Sequence, residues 1–272
     1  MALFDRKDKK LAAIKKEHIA LLKKEAHFKQ KARKAEQPRW KAELEKKVPE
    51  KAYQSLEAAF RKAFSVVFTK GTGVIEKAYN RKELEESYSI QDYAVQVKGG
   101  RRELKQVKRY AKRTGMANTA LTAVEGLGLG ILGIGLPDIV LFIGMLLKGI
   151  YQTAVSYGFT YEGVGEQVFI LRLMDTALAR GAEFEEKDSQ IDAMIAGTVS
   201  ASEEELQEQL QKTSSAFAVD MLLLKFVQGF PLIGILGGAA NPVYFNKIMN
   251  YVQLKYHKRY LMAAAQRNGW TL

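Results

Sequence analysis

The most apolar stretch of the chain lies near its middle, at residues 126–147, where Asp138 is the only charged residue. Its length just reaches the roughly 20 apolar residues that a membrane-spanning helix needs. Pro137 interrupts the stretch, because proline lacks an amide donor and disfavours a helical residue before it. Asp138 is a good N-cap for a new helix. The pattern therefore predicts two helices, at about residues 119–135 and 138–157, joined by a tight turn and each poorly suited to span a membrane alone.

Glycines four residues apart occur in two apolar segments. Gly126 and Gly130 form one GxxxG pair, which lets helix backbones approach closely, and Gly234 and Gly238 form a second pair. We expect the two segments to pack on each other. Two interpretations remain open, a buried helix pair in a soluble core and a helical hairpin that contacts or enters lipid. In the second interpretation the lipid-contacting residues include Gly126, Gly130, Leu136, Ile139 and Phe142.

Outside this hairpin, apolar residues recur at helical spacing almost throughout the chain. Residues 1–37 predict a basic amphipathic helix, with Glu25 inside its mostly apolar stripe. Residues 38–272 predict an all-helical domain. We therefore expect an all-α protein of roughly eight to ten helices, built as a single domain around the glycine-rich hairpin, with the basic helix at its N-terminus.

Helix boundaries follow from glycine, proline and capping residues. Gly99-Gly100 and Gly181 are expected to end helices, whereas Asn241-Pro242 is expected to begin one. Ser202 and Glu205 fit a capping box at the start of another helix. Residues 183–208 are acidic, and we assign no helix to the part of them that precedes Ser202.

Positive charge is concentrated in two segments. The net charge is +12 and the isoelectric point about 9.6, which favours anionic partners. Residues 1–47 hold sixteen Lys or Arg against seven Asp or Glu, and residues 98–113 hold eight basic residues against one acidic residue. The basic residues whose charge reversal should weaken binding to anionic lipid most are Arg101, Arg102, Lys105, Lys108 and Arg109.

The basic segments have three interpretations. Beside an apolar segment they are typical of contact with anionic headgroups, at roughly 1 kcal/mol per basic residue. They could also be solvated charged faces. Nucleic acid is the least favoured partner, because residues 98–113 lack the interleaved aromatic residues of single-strand binders.

Catalytic and metal-binding motifs are not found in the sequence. The histidines His18, His27 and His257 have no metal-ligand spacing, and the HExxH, GxSxG and Walker patterns do not occur. The cysteine count is zero, which excludes disulfides and cysteine-based metal sites and fits a reducing cytoplasm. Residues 128–133 match GxGxxG, but a basic segment of helical period precedes them where a dinucleotide site needs a strand. We therefore assign no catalytic, cofactor-binding or metal-binding residue.

Two acidic residues lie in apolar surroundings, Glu125 and Asp138. Such a carboxyl group can have a raised pKa and take part in acid–base catalysis, which would place Tyr157 nearby. We favour structural roles, with Asp138 as a helix cap and with Glu125 either as the partner of a basic side chain from residues 98–113 or as an acceptor of a hydrogen bond from a neighbouring helix.

Several segments together resemble the EcsC protein family. They are residues 40–77, the block 126–147 followed by Ser156-Tyr157-Gly158-Phe159, residues 231–241, and residues 256–261. The resemblance covers about residues 38–262. It implies a link to ABC transport or protein secretion, because the family takes its name from a gene beside an ABC-transporter operon. It implies no activity, cofactor or catalytic residue.

The function expected from the sequence is a non-enzymatic one, in association with a membrane. The start of the chain has no apolar signal-peptide region. We expect a cytoplasmic protein that is peripheral at the inner membrane surface, with anionic lipid as its partner. The alternatives are a soluble scaffold that binds a transporter or secretion protein, and an enzyme or carrier for a lipid-like substrate.

Overall fold

A computed structural model describes residues 2–34, 50–68, 72–116, 137–197, 199–228 and 240–272. These residues form ten α-helices and contain no β-strand, which confirms the all-α fold class. The helices are α1 (Ala2–Lys34), α2 (Glu50–Val66), α3 (Thr72–Lys77), α4 (Arg81–Lys98), α5 (Arg101–Met116), α6 (Pro137–Ser156), α7 (Val164–Leu178), α8 (Gly181–Ala196), α9 (Glu203–Gln228) and α10 (Ala240–Gln266).

Two of the predicted helix boundaries have the expected geometry. Gly99 ends α4 in the left-handed conformation, with φ of 64°, and its N–H donates to the Val95 carbonyl at 2.9 Å. Ser202 and Glu205 form the reciprocal capping box at the start of α9. The Ser202 N–H donates to the Glu205 carboxylate at 3.0 Å, and the Glu205 N–H donates to Ser202 Oγ at 3.2 Å.

The second helix of the predicted apolar hairpin is α6, and it begins at Pro137. The first helix, at about residues 119–135, lies outside the described residues, as do Glu125, Gly126, Gly130, Leu136, Gly234 and Gly238. Asp138 lies in the first turn of α6, but its side chain is outside the described part, so its role as a helix cap stays a prediction.

Helix α8 was not predicted, and Gly181 was placed wrongly. Helix α7 ends at Leu178, and Gly181 begins α8 with φ of 58° instead of ending the helix before it. The acidic segment is helical because one face buries Phe184, Asp188, Ile191 and Ile195, at spacings of three and four residues, while its other charged residues are exposed or half-buried. The helix start expected at Asn241-Pro242 is found within one residue of that position, since α10 begins at Ala240.

The core is built around two helices, α6 and α10. Helix α6 contacts α2, α3, α4, α5 and α10, and α10 contacts α1, α5, α6, α7 and α8. Helix α9 closes the other side against α2 and α7. Aromatic rings join these layers: the Phe217 ring of α9 packs on Phe60 and Phe64 of α2 and on Phe142 of α6, with centroid distances of 5.3–6.3 Å. Helices α1, α4 and α5 lie together on one side of the central pair, since α5 contacts both α1 and α4.

Candidate functional site

Helix α5 has an apolar edge towards the protein and a basic edge towards solvent. Leu104, Val107 and Ala111 are buried where α5 packs against α6 and α10. The solvent edge follows a spacing of three or four residues, so its side chains share one face of the helix over about 15 Å. Its exposed residues are Arg102, Lys105, Arg109, Lys112 and Arg113.

Helix α1 lies beside α5 and runs in the same direction. The Cβ of Lys10 packs closely against Gly99, just before α5 begins. About two turns further along α1, Glu17 accepts a hydrogen bond from Nε of Arg101, which begins α5, at 2.5 Å. Lys24, later still in α1, lies beside Lys108. The increasing residue numbers on both helices make the pair parallel, so the exposed lysines of α1 extend the basic edge of α5.

Lys108 shows that the positive charges between the two helices are incompletely balanced. Burial lowers the pKa of Lys108, and the Lys24 ammonium beside it lowers this pKa further, against the opposing effect of Glu17. Lys105 acts in the same direction as Lys24. Glu17 is buried and lies 3.9 Å from Lys108 Nζ while it also binds Arg101. One buried carboxylate thus serves two of the cations that the sequence assigned to lipid contact.

The exposed cations of the two helices form one surface, which we call the basic face. Among the described residues, no carboxylate forms an ion pair with any of the α5 members of this face. Such a surface raises the local concentration of anions and can bind phosphate or carboxylate groups. The basic face consists of Lys16, Lys23 and Lys24 of α1 and Arg102, Lys105, Arg109, Lys112 and Arg113 of α5.

Helix α1 is held in place by a buried cluster of charges on its inner side. Glu25 accepts hydrogen bonds from Lys255 Nζ at 2.8 Å and Lys258 Nζ at 3.0 Å, both on α10. Lys29 pairs with Asp188 of α8 at 3.0 Å. These contacts join α1 to the central helix α10 and to α8, so they fix the position of the α1 part of the basic face.

Ile139 and Phe142, which the sequence assigned to lipid contact, are fully buried in the protein core. Within the described residues, α6 is the one helix long and apolar enough to cross a membrane, with a mean hydropathy of 1.6 over Ile139–Ser156. However, 83% of that window is buried inside the protein. Core helices of soluble proteins have the same properties, so the helix has an explanation without lipid.

Tyr157 is buried beside His257, with the two ring centroids 5.9 Å apart. Burial raises the pKa of Tyr157 far above its usual range and lowers the pKa of His257 well below its usual range. Both side chains are therefore neutral near pH 7. Neither the Tyr157 hydroxyl nor His257 Nε2 has a hydrogen-bond partner in the described part of the protein. The carboxyl groups of Glu125 and Asp138, which catalysis would need beside Tyr157, lie outside it.

Two clefts that the sequence did not suggest lie between α7, α8 and α9, with volumes of about 380 and 250 Å³. They share Asp175, Lys187 and Lys212, and the Asp175 carboxylate is already bound by Lys187 Nζ at 2.7 Å. The clefts contain none of the site residues expected from the sequence. No group of three or more His, Asp or Glu side chains in the described ranges is arranged to hold a metal ion.

Comparison with known proteins identifies the family. No curated protein sequence and no solved structure matches this chain. The model of the EcsC protein family matches residues 9–261. The match begins inside α1, earlier than the resemblance that started near residue 38, and it therefore includes both helices of the basic face. The chain belongs to the EcsC protein family.

Proposed function

We propose that this protein binds the anionic inner surface of the cell membrane through the basic face of α1 and α5, without catalysing a reaction. The observation that carries the proposal is the row of five exposed cations along one edge of α5, none of which forms an ion pair with a carboxylate among the described residues. Like charges on successive turns of one helix repel each other, and an anionic surface would relieve the repulsion by supplying negative charge.

The shape of the basic face also suits a flat anionic partner. Its α5 residues follow a straight line of about 15 Å and project from a helix whose other edge is buried in the core. Each cation near an anionic bilayer contributes roughly 1 kcal/mol, so several weak contacts add up to stable attachment.

The test is flotation of the full-length protein with neutral and with anionic lipid vesicles, at low and at high salt. We expect binding to anionic vesicles at low salt and weaker binding at high salt. The reason is that salt screens the attraction between exposed charges, and at 0.1 M salt little of it remains beyond about 10 Å. The variant Arg102→Glu, Lys105→Glu, Arg109→Glu should bind at least about a hundredfold more weakly at low salt, since three favourable contacts are lost and three repulsive ones are added. None of these three side chains is bound by a carboxylate in the described structure, so the variant should keep the fold.

A matched control reverses the same number of charges elsewhere. Lys51 and Lys62 on α2 and Lys212 on α9 are exposed and lie away from the basic face. Their triple change to Glu lowers the net charge equally, so it should weaken binding far less than the α5 variant does. Equal losses in both variants would contradict a localised basic face. If the wild-type protein binds neither kind of vesicle, the proposal is rejected and a scaffold for a transporter or secretion protein becomes the better hypothesis.

A further inference from the structure

The large apolar side chains that remain exposed are placed on the two neighbours of α5. Among the described residues they are Ile19 and Leu22 on α1 and Ile90 and Tyr93 on α4, with exposed fractions of 54%, 43%, 70% and 67%. Helices α1 and α4 both pack against α5. Single exposed apolar residues are ordinary on a protein surface. Here they come as two pairs spaced by three residues, on either side of the most basic helix.

Ile90 and Tyr93 point away from the core of the protein. Helix α4 buries Leu84, Asp92 and Val95, and Ile90 and Tyr93 lie on its opposite face together with the half-exposed Val97. The spacing of three and four residues makes these three side chains one short apolar stripe along the helix. The stripe is therefore available to a partner.

The apolar stripe of α4 lies level with the middle of the basic edge of α5. The two helices are joined by Gly99 and Gly100 alone and pack on each other, so they form an antiparallel helical hairpin. In such a hairpin, residues that are equally far from the turn lie beside each other. Ile90 is therefore level with Arg109, and Tyr93 is level with Gln106. The exposed acidic residues of α4, Glu83, Glu85 and Glu86, lie in the half of the hairpin that is remote from the turn, and Asp92 is buried.

On the other side of α5, Ile19 belongs to the same stripe as two members of the basic face. Lys16, Ile19 and Lys23 are three and four residues apart and are all exposed on the outer side of α1. An apolar side chain thus lies between two lysines on α1, and an apolar pair lies beside the arginines of α5.

We propose that Ile90 and Tyr93 of α4, aided by Ile19 of α1, insert into the boundary between headgroups and acyl chains of an anionic membrane. This inference rests on the proposed function and names the side chains that enter the lipid. Helices with cationic and apolar residues on adjoining faces bind in this layer, with the apolar groups about 5–10 Å deep. Tyrosine is enriched there, because its ring is apolar and its hydroxyl can stay hydrated. The cations of α5 then lie at the level of the phosphates.

The first test compares vesicle binding of the wild type with that of Ile90→Ser, Tyr93→Ser over a range of salt concentrations. We expect the partition coefficient on anionic vesicles to fall about tenfold, since two apolar side chains lose their burial in lipid. This factor should be similar at low and high salt. The factor lost by the Arg102→Glu, Lys105→Glu, Arg109→Glu variant should shrink as salt rises. The melting temperature should not change, because both serines replace exposed side chains.

The second test measures insertion directly with an environment-sensitive fluorophore. The chain has no cysteine, so Tyr93→Cys provides a single labelling site, and Ser55→Cys on the exposed side of α2 provides the matched control. With anionic vesicles, the emission of the label at position 93 should shift to the blue and become protected from a soluble quencher. The label at position 55 should keep the emission and quenching that it has in water.

The outcomes separate the insertion from the proposed function. If the wild type binds anionic vesicles but the serine variant binds equally well and the label at position 93 stays in water, the insertion is wrong and the electrostatic attachment stands. If the wild type binds no vesicles, both proposals are rejected. Salt-independent loss in the serine variant together with a blue shift at position 93 alone would establish the insertion.

Discussion

The side chain of Lys255 is completely buried, and three carboxylates surround its ammonium group. Its Nζ lies 2.8 Å from Glu25, 2.7 Å from Asp188 and 2.6 Å from Asp192. Burial alone would lower the pKa of Lys255, but the three carboxylates outweigh it and raise the pKa. Burial alone would raise the pKa of Asp188, but the neighbouring Lys255 ammonium outweighs burial and holds the pKa of Asp188 below its usual range. Lys255 and Asp188 therefore both stay charged at neutral pH.

We expect Lys255→Met to lower the free energy of unfolding by about 3–5 kcal/mol, because it leaves buried carboxylates without their cation. Chemical denaturation at pH 7 measures this change. The matched control is Lys212→Met, which removes a lysine whose ion pair with Glu208 is largely exposed. That change should stay within about 1 kcal/mol. Equal effects of the two substitutions would mean that Lys255 contributes no more than a surface ion pair.

At the scale of the elements, α5 and α6 cross at two glycines. A Cβ atom on Gly149 of α6 would lie 2.8 Å from the carbonyl oxygen of Gly115 of α5. The crossing is bound by Gln253 of α10, whose Nε2 donates to Thr153 Oγ1 at 2.7 Å and to the Ala111 carbonyl at 3.0 Å. Helix backbones come this close only where side chains are missing, so this crossing sets the position of α5 and with it the basic face.

Gly115→Ala should destabilise the protein by about 2 kcal/mol. The added methyl group would overlap Thr153 Oγ1 and lie 2.6 Å from Gln253 Nε2, so the hydrogen-bonded network must move. The better helix propensity of alanine, about 1 kcal/mol in a helix interior, is too small to offset this. Thermal unfolding measures the change. In the control Gly73→Ala on α3, no atom lies within 4 Å of the added group, and we expect no destabilisation. A Gly115→Ala protein as stable as the control would show that the crossing relaxes freely.

An element can be predicted from the sequence when the residues that determine it lie close together along the chain. Gly99 and the capping box at Ser202 act within one helical turn, so they could be identified from the sequence. Helix α8 has no side-chain cap at its start, and its four buried residues are surrounded by charges, so its periodicity was missed.

The candidate site was predictable only in its charge. The exposed cations of α5 follow directly from the sequence pattern. Glu17 pairs with Arg101 across 84 residues and Glu25 with Lys255 across 230 residues, and no local pattern indicates such contacts. The apolar pair at Ile90 and Tyr93 becomes a candidate anchor only when the fold places α4 beside α5.

At the scale of the whole molecule, tyrosines are spread along both central helices and next to the end of α6. Burial raises the pKa of each of them above the value of about 10 that tyrosine has in an unfolded chain. Above pH 10 the folded protein therefore holds more protons than the unfolded chain does. These tyrosines are Tyr151, Tyr157, Tyr161, Tyr244, Tyr251, Tyr256 and Tyr260.

The free energy of unfolding should therefore be insensitive to these tyrosines below pH 10 and fall as the pH rises above it, by about 1.4 kcal/mol per pH unit for each one. Titration with alkali, followed by circular dichroism and tyrosinate absorbance, should show loss of helix and ionisation of several tyrosines in one cooperative step. Tyr157→Phe removes a buried hydroxyl that has no hydrogen-bond partner within the described structure. This variant should be as stable as the wild type at pH 7 and should unfold at a higher pH, because one ionising group is lost. Gradual formation of tyrosinate while the helical signal stays constant would instead mean that these side chains ionise inside the folded protein.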